Sequence, residues 1–288
     1  MNIPNYHTHT IFCDGKARPE EMVKTAIQHH LPALGFTGHA PVPFRSDWNM
    51  SKTAYADYSK EIDRLQKKYS NRLKIYKGLE ADYIAGITGP NDFKNEGLDY
   101  IIGAVHYLHI SEFDENWDFI ISPKVFQFGL ENYYRQDIEA LINDYFTAVN
   151  ELITEHTPDI VAHIDQINKF NKGERFFSEK SKLFNRHTDE TIELAKKHKV
   201  IIEINTRIAY RQLSDEFNPS DRFIQKMQAA DIPIIFSADV HRENEMNKLM
   251  KEAVLKAKAL GYKSHMVLTE NGFVEQDIDR LLPPKGYL

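Results

Sequence analysis

Seven short apolar runs alternate with amphipathic segments of helical period from one end of the 288-residue chain to the other. This alternation limits the fold more than any other feature, because strands separated by helices pair in parallel and are covered by those helices. The runs predicted as strands are 3–7, 33–39, 73–80, 100–106, 160–163, 200–205 and 232–239. Predicted helices are one that opens with Pro19 in its first turn and carries Met22, Val23, Ala26 and Ile27 on one face, and the segments 53–69, 131–155, 182–198, 221–230 and 246–260. The class is therefore α/β, either a barrel or an open doubly wound sheet. Gly35, Gly38, Gly78 and Gly103 are scattered, and no dinucleotide fingerprint or phosphate-binding Gly-rich loop follows any strand, which weakens the open-sheet reading. Barrels of about 250 residues form one unit, so residues 1–288 are read as a single domain. The connection 109–130 is long, acidic and aromatic without a clear period, and is expected to be a lid or binding segment.

Thirteen histidines are the unusual number in the composition, and their placement matters more than their count. Strand one ends in His7-Thr8-His9, strand two in Gly38-His39, strand three in Gly78-Leu79-Glu80, strand four in Val105-His106, strand five in Ala162-His163 and strand seven in Asp239-Val240-His241. In a parallel barrel these ends converge on one face, where active sites of such folds are built. Residues i and i+2 of a strand project to the same side, so His7 with His9, and Asp239 with His241, each present two groups to a shared site. A lone histidine after an apolar run is more often a hydrogen-bonded core residue than a ligand. Six strand ends carrying such residues argue instead for a metal centre. With Asp14 there are nine candidate ligands: His7, His9, Asp14, His39, Glu80, His106, His163, Asp239 and His241. One tetrahedral site needs about four, so two or three divalent ions are expected, with Zn, Mn or Fe matching nitrogen and oxygen donors and Glu80 a bridging carboxylate. His29, His30, His109, His156, His187, His198 and His265 fall mostly on helices or loops and receive no metal role.

Other features exclude classes. A formal net charge of -6 gives no overall basic field for nucleic acid or an anionic membrane. The single cysteine, Cys13, excludes an intrachain disulfide framework and a Cys-rich zinc site. The start MNIPNYHTHT has no basic segment followed by an apolar run, and no stretch of about 18 apolar residues occurs, so the expected setting is cytoplasmic.

The ordered set His7-Thr8-His9-Thr10, Cys13-Asp14-Gly15, Gly38-His39-Ala40, Gly78-Leu79-Glu80, His106, His163 and Asp239-Val240-His241 resembles the PHP (polymerase and histidinol phosphatase) superfamily, and within it the monofunctional histidinol-phosphate phosphatases. The resemblance covers nearly the whole chain. It implies a distorted (β/α)7 barrel, with a first metal on His7, His9, Glu80 and Asp239, a second on Glu80, His106 and His163, and a third on Asp14, His39 and His241. Relatives often carry histidine near Asp14, which puts the third site in question. The implied reaction is hydrolysis of a small phosphomonoester, L-histidinol phosphate in histidine biosynthesis, by hydroxide generated at the metals. Asp239 and His241 are the candidates for protonating the leaving alcohol. Strand six ends in Asn205-Thr206-Arg207, and Arg207 offers a planar donor fork to a phosphoryl group; Arg45, Arg175, Arg211 and Arg242 are weaker candidates. The long connection offers Glu112, Asp114, Glu115, Trp117, Asp118 and Phe119, and part of it is expected to cover the leaving-group end of the substrate. The alternatives are another phosphoesterase of the superfamily, acting on phosphotyrosine or nucleotides, and a non-catalytic metal-binding module.

Overall fold

The structure, a computed structural model, describes residues 3–282. In chain order the strands are β1 (Ala33–Phe36), β2 (Lys74–Asp82), β3 (Tyr100–Ala104), β4 (Tyr107–Ile110), β5 (Glu115–Asp118), β6 (Ile160–Val161), β7 (Ile201–Asn205), β8 (Ile234–Ser237), β9 (Ser264–Thr269) and β10 (Gly272–Asp277). The α-helices are α1 (Pro19–Gln28), α2 (Lys52–Tyr69), α3 (Pro123–Asn132), α4 (Ile138–Glu151), α5 (Lys182–His198), α6 (Arg207–Tyr210), α7 (Asp221–Ala229) and α8 (Met250–Ala259). Six strands form one parallel sheet in the order β1-β2-β3-β6-β7-β8.

The segment predicted as the first strand is what closes this sheet. It makes only isolated bridges, Asn5 with Leu34 beside β1 and Thr8 with Val240 just past β8. Its backbone bonds both edges: Gly35 N donates to Asn5 O at 2.8 Å, and His9 N donates to Val240 O at 2.7 Å. A segment bonded to the first and last strands requires the sheet to curl, so the architecture is the expected distorted (β/α)7 barrel with one irregular stave. It is irregular because its partners are staggered, and the short contact with each edge cannot build a continuous ladder.

Alternation along the strands sorts the side chains. Outward residues such as Leu34, Phe36, Leu79, Ile202, Ile204, Ile234 and Phe236 enter the large core beneath the helices. That core also takes the buried faces of α2 (Tyr58, Ile62, Leu65) and α4 (Leu141, Ile142, Tyr145, Phe146). Inward residues form a second, smaller core from Tyr6, Tyr100, Ile102, Ile160, Ile201, Ile235 and Leu268. Tyr100 crosses the barrel interior between Gly35 and Gly78, where an added Cβ would stand 2.0 Å from its hydroxyl oxygen and 2.7 Å from its ring, so these two glycines admit the tyrosine. The β9-β10 hairpin plugs the lower end: Tyr76 Oη donates to Leu268 O at 2.8 Å, and Leu268 N donates to Tyr6 Oη at 3.2 Å. Toward the upper end the inward positions turn polar, with Tyr76 giving way to Glu80 and Asp82, Ile201 to Glu203 and Asn205, and Ile235 to Ser237 and Asp239.

Three expectations need correction. The segment 109–130 is not an irregular lid: β4 and β5 form an antiparallel hairpin, α3 follows, and Trp117, Phe119 and Phe126 are buried in the main core. Apolar burial against α4 gives it order that its sequence period does not reveal. The predicted helix 131–155 divides, with α3 ending at Asn132 and α4 starting after the Asp137 cap, whose side chain accepts from Ala140 N. The helix predicted from 246 begins at Met250, after a left-handed Leu249 (φ 56°). Among the described residues no helix is long and apolar enough to cross a membrane.

Candidate metal centre

All nine sequence-predicted ligands lie at the polar end of the barrel, and eight of them are buried. Asp14 is the partly exposed one. The irregular first stave turns both His7 and His9 inward, and the chain then reverses to bring up Asp14. Gly15 permits that reversal, since a Cβ there would stand 2.4 Å from the Thr10 backbone nitrogen. His163 and Asp239 leave their strands in the left-handed region, with φ of 26° and 48°. Non-glycine residues held there cost on the order of 1–3 kcal/mol each, and such strain collects at sites where a side chain must be aimed.

The side chains form four overlapping groups with ligand atoms within 4.8 Å of one another: His9, Asp14, His39 and His241; His7, His9 and Asp239; His39, Asp82 and His106; and Glu80, His106 and His163. Glu80 joins them. Its Oε2 lies 3.2 Å from His7 Nε2, 3.4 Å from His9 Nε2 and 2.9 Å from His39 Nδ1, while Oε1 lies 3.0 Å from His163 Nε2 and 3.7 Å from His106 Nε2. One carboxylate thus faces two imidazole sets, the position required of a bridge. Asp239 Oδ1 is 3.4 Å from His9 Nε2 and 3.9 Å from His7 Nε2. Asp14 Oδ2 is 2.9 Å from His241 Nε2. His9 therefore touches both the first and the third expected set, a sharing that strand-end reasoning does not anticipate.

The donor atoms are suited to cations. His7 Nε2, His9 Nε2, Asp14 Oδ1, His39 Nδ1, Glu80 Oε2 and Asp239 Oδ1 are all buried and lack an aligned hydrogen-bond partner. Leaving a buried polar atom unpaired costs roughly 1–3 kcal/mol, so six converging on one volume are unfavourable unless ions take them. Nitrogen and oxygen donors without sulfur fit Zn, Mn or Fe. Burial, with His241 and His39 nearby, pushes His9 down to about 3, which keeps it neutral as a ligand must be. Burial alone would raise the Glu80 carboxyl, but His7, His39, His106 and the His163 hydrogen bond hold it well below the usual range.

Two further carboxylates, which the sequence reading left without a role, set the imidazole tautomers. Glu203 Oε1 lies 2.6 Å from His7 Nδ1, and Asp82 Oδ1 lies 2.8 Å from His106 Nδ1. Each leaves the Nε2 of its partner facing the cluster, the outer-shell arrangement seen behind metal-bound histidines. The available signal was parity: Glu203 and Asp82 stand on the inward face of their strands, Asp82 two residues after Glu80. Cys13 packs beside His9 and Gly38, and burial pushes its thiol up to about 12, as befits a packing residue.

A cavity of about 470 Å³ opens over the cluster. Lys169, Arg207 and Arg211 line it, together with Trp48, Asp118 and Gln166. Arg207 Nη1 donates to Asp239 O at 2.8 Å and to Tyr210 Oη at 3.1 Å, and it is the only side-chain nitrogen of Arg207 so bonded among the described residues. Arg45, Arg175 and Arg242 are exposed and stand outside the lining. Of the six side chains expected to cover a leaving group Asp118 lines the cavity, joined from the same segment by Ile120, Ile121 and Pro123; Trp117 and Phe119 are core, and Glu112, Asp114 and Glu115 are exposed at the hairpin turn.

This fold and ligand cluster define a metal-binding barrel of the phosphoesterase type. The PHP domain model matches residues 5–207, and the chain belongs to that family. It is 25% identical over 265 residues to the "Probable histidinol-phosphatase" of Deinococcus radiodurans, covering 88% of this chain and 92% of that protein. It is 24% identical to the histidinol-phosphatase of Bacillus subtilis, over 83% of this chain and 94% of the relative. The solved structure of hisK from Listeria monocytogenes shares the fold, with a TM-score of 0.74 and 22% identity over 86% of this chain and 99% of that one. So does histidinol phosphate phosphatase from Lactococcus lactis, complexed with Zn, L-histidinol and phosphate, at a TM-score of 0.68 and 19% identity over 95% and 99% of the two chains.

Proposed function

We propose that the chain is a metal-dependent phosphomonoesterase that converts L-histidinol phosphate to L-histidinol and phosphate. The observation that carries the reading is the convergence of six buried, unpaired donor atoms beneath a cavity lined by cations. His7, His9, Glu80 and Asp239 would hold one divalent ion, Glu80, His106 and His163 a second, and Asp14, His39 and His241, with His9 adjacent, a third. When bound, such ions acidify water for attack on phosphorus and neutralise charge on the phosphoryl oxygens.

The chain's own residues supply the rest. Arg207 and Lys169 bind the phosphoryl group, with Arg211 at the cavity's exposed edge. Glu203 and Asp82 keep His7 and His106 oriented by engaging Nδ1, so that Nε2 is the atom each ring would present to a metal. Asp239 and His241 line the same cavity and are proposed to orient the water that gives a proton to the departing alkoxide. A cavity of about 470 Å³ and the net charge of -6 support a small-molecule substrate rather than a nucleic acid or an anionic membrane surface, in an enzyme we place in the cytoplasm. The sheet and its covering helices draw on residues from Pro19 to Ala259, which supports one domain over 1–288. Phosphate release from a panel of phosphomonoesters and one diester, measured after metal removal and after adding back Zn, Mn or Fe, tests the assignment. L-Histidinol phosphate is expected to give the highest kcat/KM; preference for the diester would overturn it.

A further inference from the structure

The carboxylates lining the cavity are Asp14, Glu80, Asp118 and Asp239. Three of them sit among the imidazoles; Asp118 belongs to none of the ligand groups. It closes strand β5 directly opposite Tyr107 in the hairpin. Its Oδ2 accepts from Trp48 Nε1 at 2.6 Å, and its Oδ1 accepts from the Ile120 backbone nitrogen at 3.3 Å. Both donors are neutral, and no cation lies within ion-pair distance of Asp118 among the described residues. A carboxylate offers about four acceptor positions, so roughly half of its capacity remains open toward the cavity.

Its surroundings do not favour a bare anion. Burial pushes the Asp118 carboxyl above its ordinary range, against the lowering effect of the Trp48 hydrogen bond and of nearby His106. Trp48 is nevertheless built to hold it. The indole stacks on Tyr107 with centroids 5.1 Å apart and planes 7° apart, and stands across His39 and His106 at 4.4 Å and 5.4 Å. Tyr107 is itself fixed, its Oη 3.0 Å from Asn49 Oδ1 and 3.1 Å from Ser46 Oγ. A rigid aromatic pair thus presents a desolvated carboxylate next to His39 and His106, while the phosphate-binding Arg207 sits against Asp239.

We propose that Asp118, positioned by Trp48, selects phosphomonoesters whose alcohol carries a protonated nitrogen, an ammonium or imidazolium, and so determines the leaving-group specificity of the site. The inference rests on the phosphomonoesterase reading, and it makes Asp118 the charged contact of the 109–130 segment beside its apolar lining residues Ile120, Ile121 and Pro123. A charge-assisted contact of this kind supports roughly a 10- to 100-fold discrimination.

The test compares metal-loaded wild type, Asp118→Asn and Trp48→Phe on L-histidinol phosphate and on glycerol 3-phosphate, which lacks a cationic nitrogen. Asp118→Asn is expected to lower the ratio of kcat/KM for the two esters by roughly 10- to 100-fold, mainly through KM for the cationic ester. Trp48→Phe, which leaves the carboxylate but removes its anchor, is expected to lower the same ratio by less. An unchanged ratio, whether both activities fall together or neither falls, would overturn the proposal. Calorimetric binding of L-histidinol separates the two readings. If wild type hydrolyses neither ester the phosphomonoesterase reading fails, and Asp118 is still judged by whether Asp118→Asn weakens L-histidinol binding; equal binding by both proteins would refute it.

Discussion

Glu203→Gln is a nearly isosteric change whose effect follows from hydrogen-bond polarity. Glu203 Oε1 takes His7 Nδ1 at 2.6 Å and the Ser237 hydroxyl at 2.5 Å, while Oε2 takes the His163 backbone N–H at 3.2 Å and Asn205 Nδ2 at 2.9 Å. Asn205 cannot flip, because its Oδ1 already accepts the Arg207 N–H at 2.8 Å. A glutamine amide nitrogen at the Oε2 position would therefore face two obligate donors. At the Oε1 position it can be accepted by Ser237, and by His7 only if Nδ1 gives up its proton. That proton then resides on Nε2, the atom facing Glu80 and Asp239, where it blocks ligation. Either orientation leaves a mispaired group costing roughly 1–3 kcal/mol. Losing such an outer-shell partner lowers metal affinity by about 10- to 100-fold, which is about 1.4–2.7 kcal/mol at 1.36 kcal/mol per decade. Metal retained after dialysis against graded chelator, with a thermal melt to establish that the variant is folded, reads this directly. A folded Glu203→Gln protein holding metal as tightly as wild type would refute the tautomer argument.

Arg207→Ala should raise KM for phosphomonoesters more than it lowers kcat, because the lost fork binds phosphate in ground and transition states alike; steady-state kinetics with a kcat loss at constant KM would contradict this. Burial, then the neighbouring Arg207, pushes the Lys169 ammonium down to about 8. The charge is present below that pH and lost above it, so KM should be flat below about pH 8 and climb beyond it, and Lys169→Arg should remove the climb. Gly15→Ala places a Cβ 2.4 Å from the Thr10 nitrogen, and the backbone must shift to admit it. Overpacking of that kind costs roughly 1–3 kcal/mol, visible as a lower denaturant midpoint. The metal nearest Asp14 should weaken with it.

The clustering of the nine candidate ligands was legible because parallel topology gathers strand C-termini at one rim, so residues as distant as His7 and His241 could be placed together by position alone. The barrel was legible for the same reason. The closure was not, since His7 and His9 sit on a stave that bonds two edges by isolated bridges, and an apolar run carries no mark of that. Glu203 lies inside the run Ile201–Asn205, where a carboxylate reads as an interruption; only inward parity with Ser237 and Asp239 marks it as a support for His7. The hairpin 107–118 escaped because its strands are four residues long and its acidic turn resembles a solvated loop. The closing hairpin β9-β10 did carry a signal, Asn271-Gly272 after an alternating run: Glu270 and Asn271 form the turn, and Gly272 opens β10 in the left-handed region at φ 93°.

The most direct measurement follows metal content and phosphate release together, by counting ions per chain in aliquots drawn through a chelator titration and assaying each on L-histidinol phosphate. Two or three divalent ions per untreated chain, turnover that declines in step with their removal, and recovery on adding Zn, Mn or Fe are the predicted results. Undiminished phosphate release from protein stripped of metal would contradict the account.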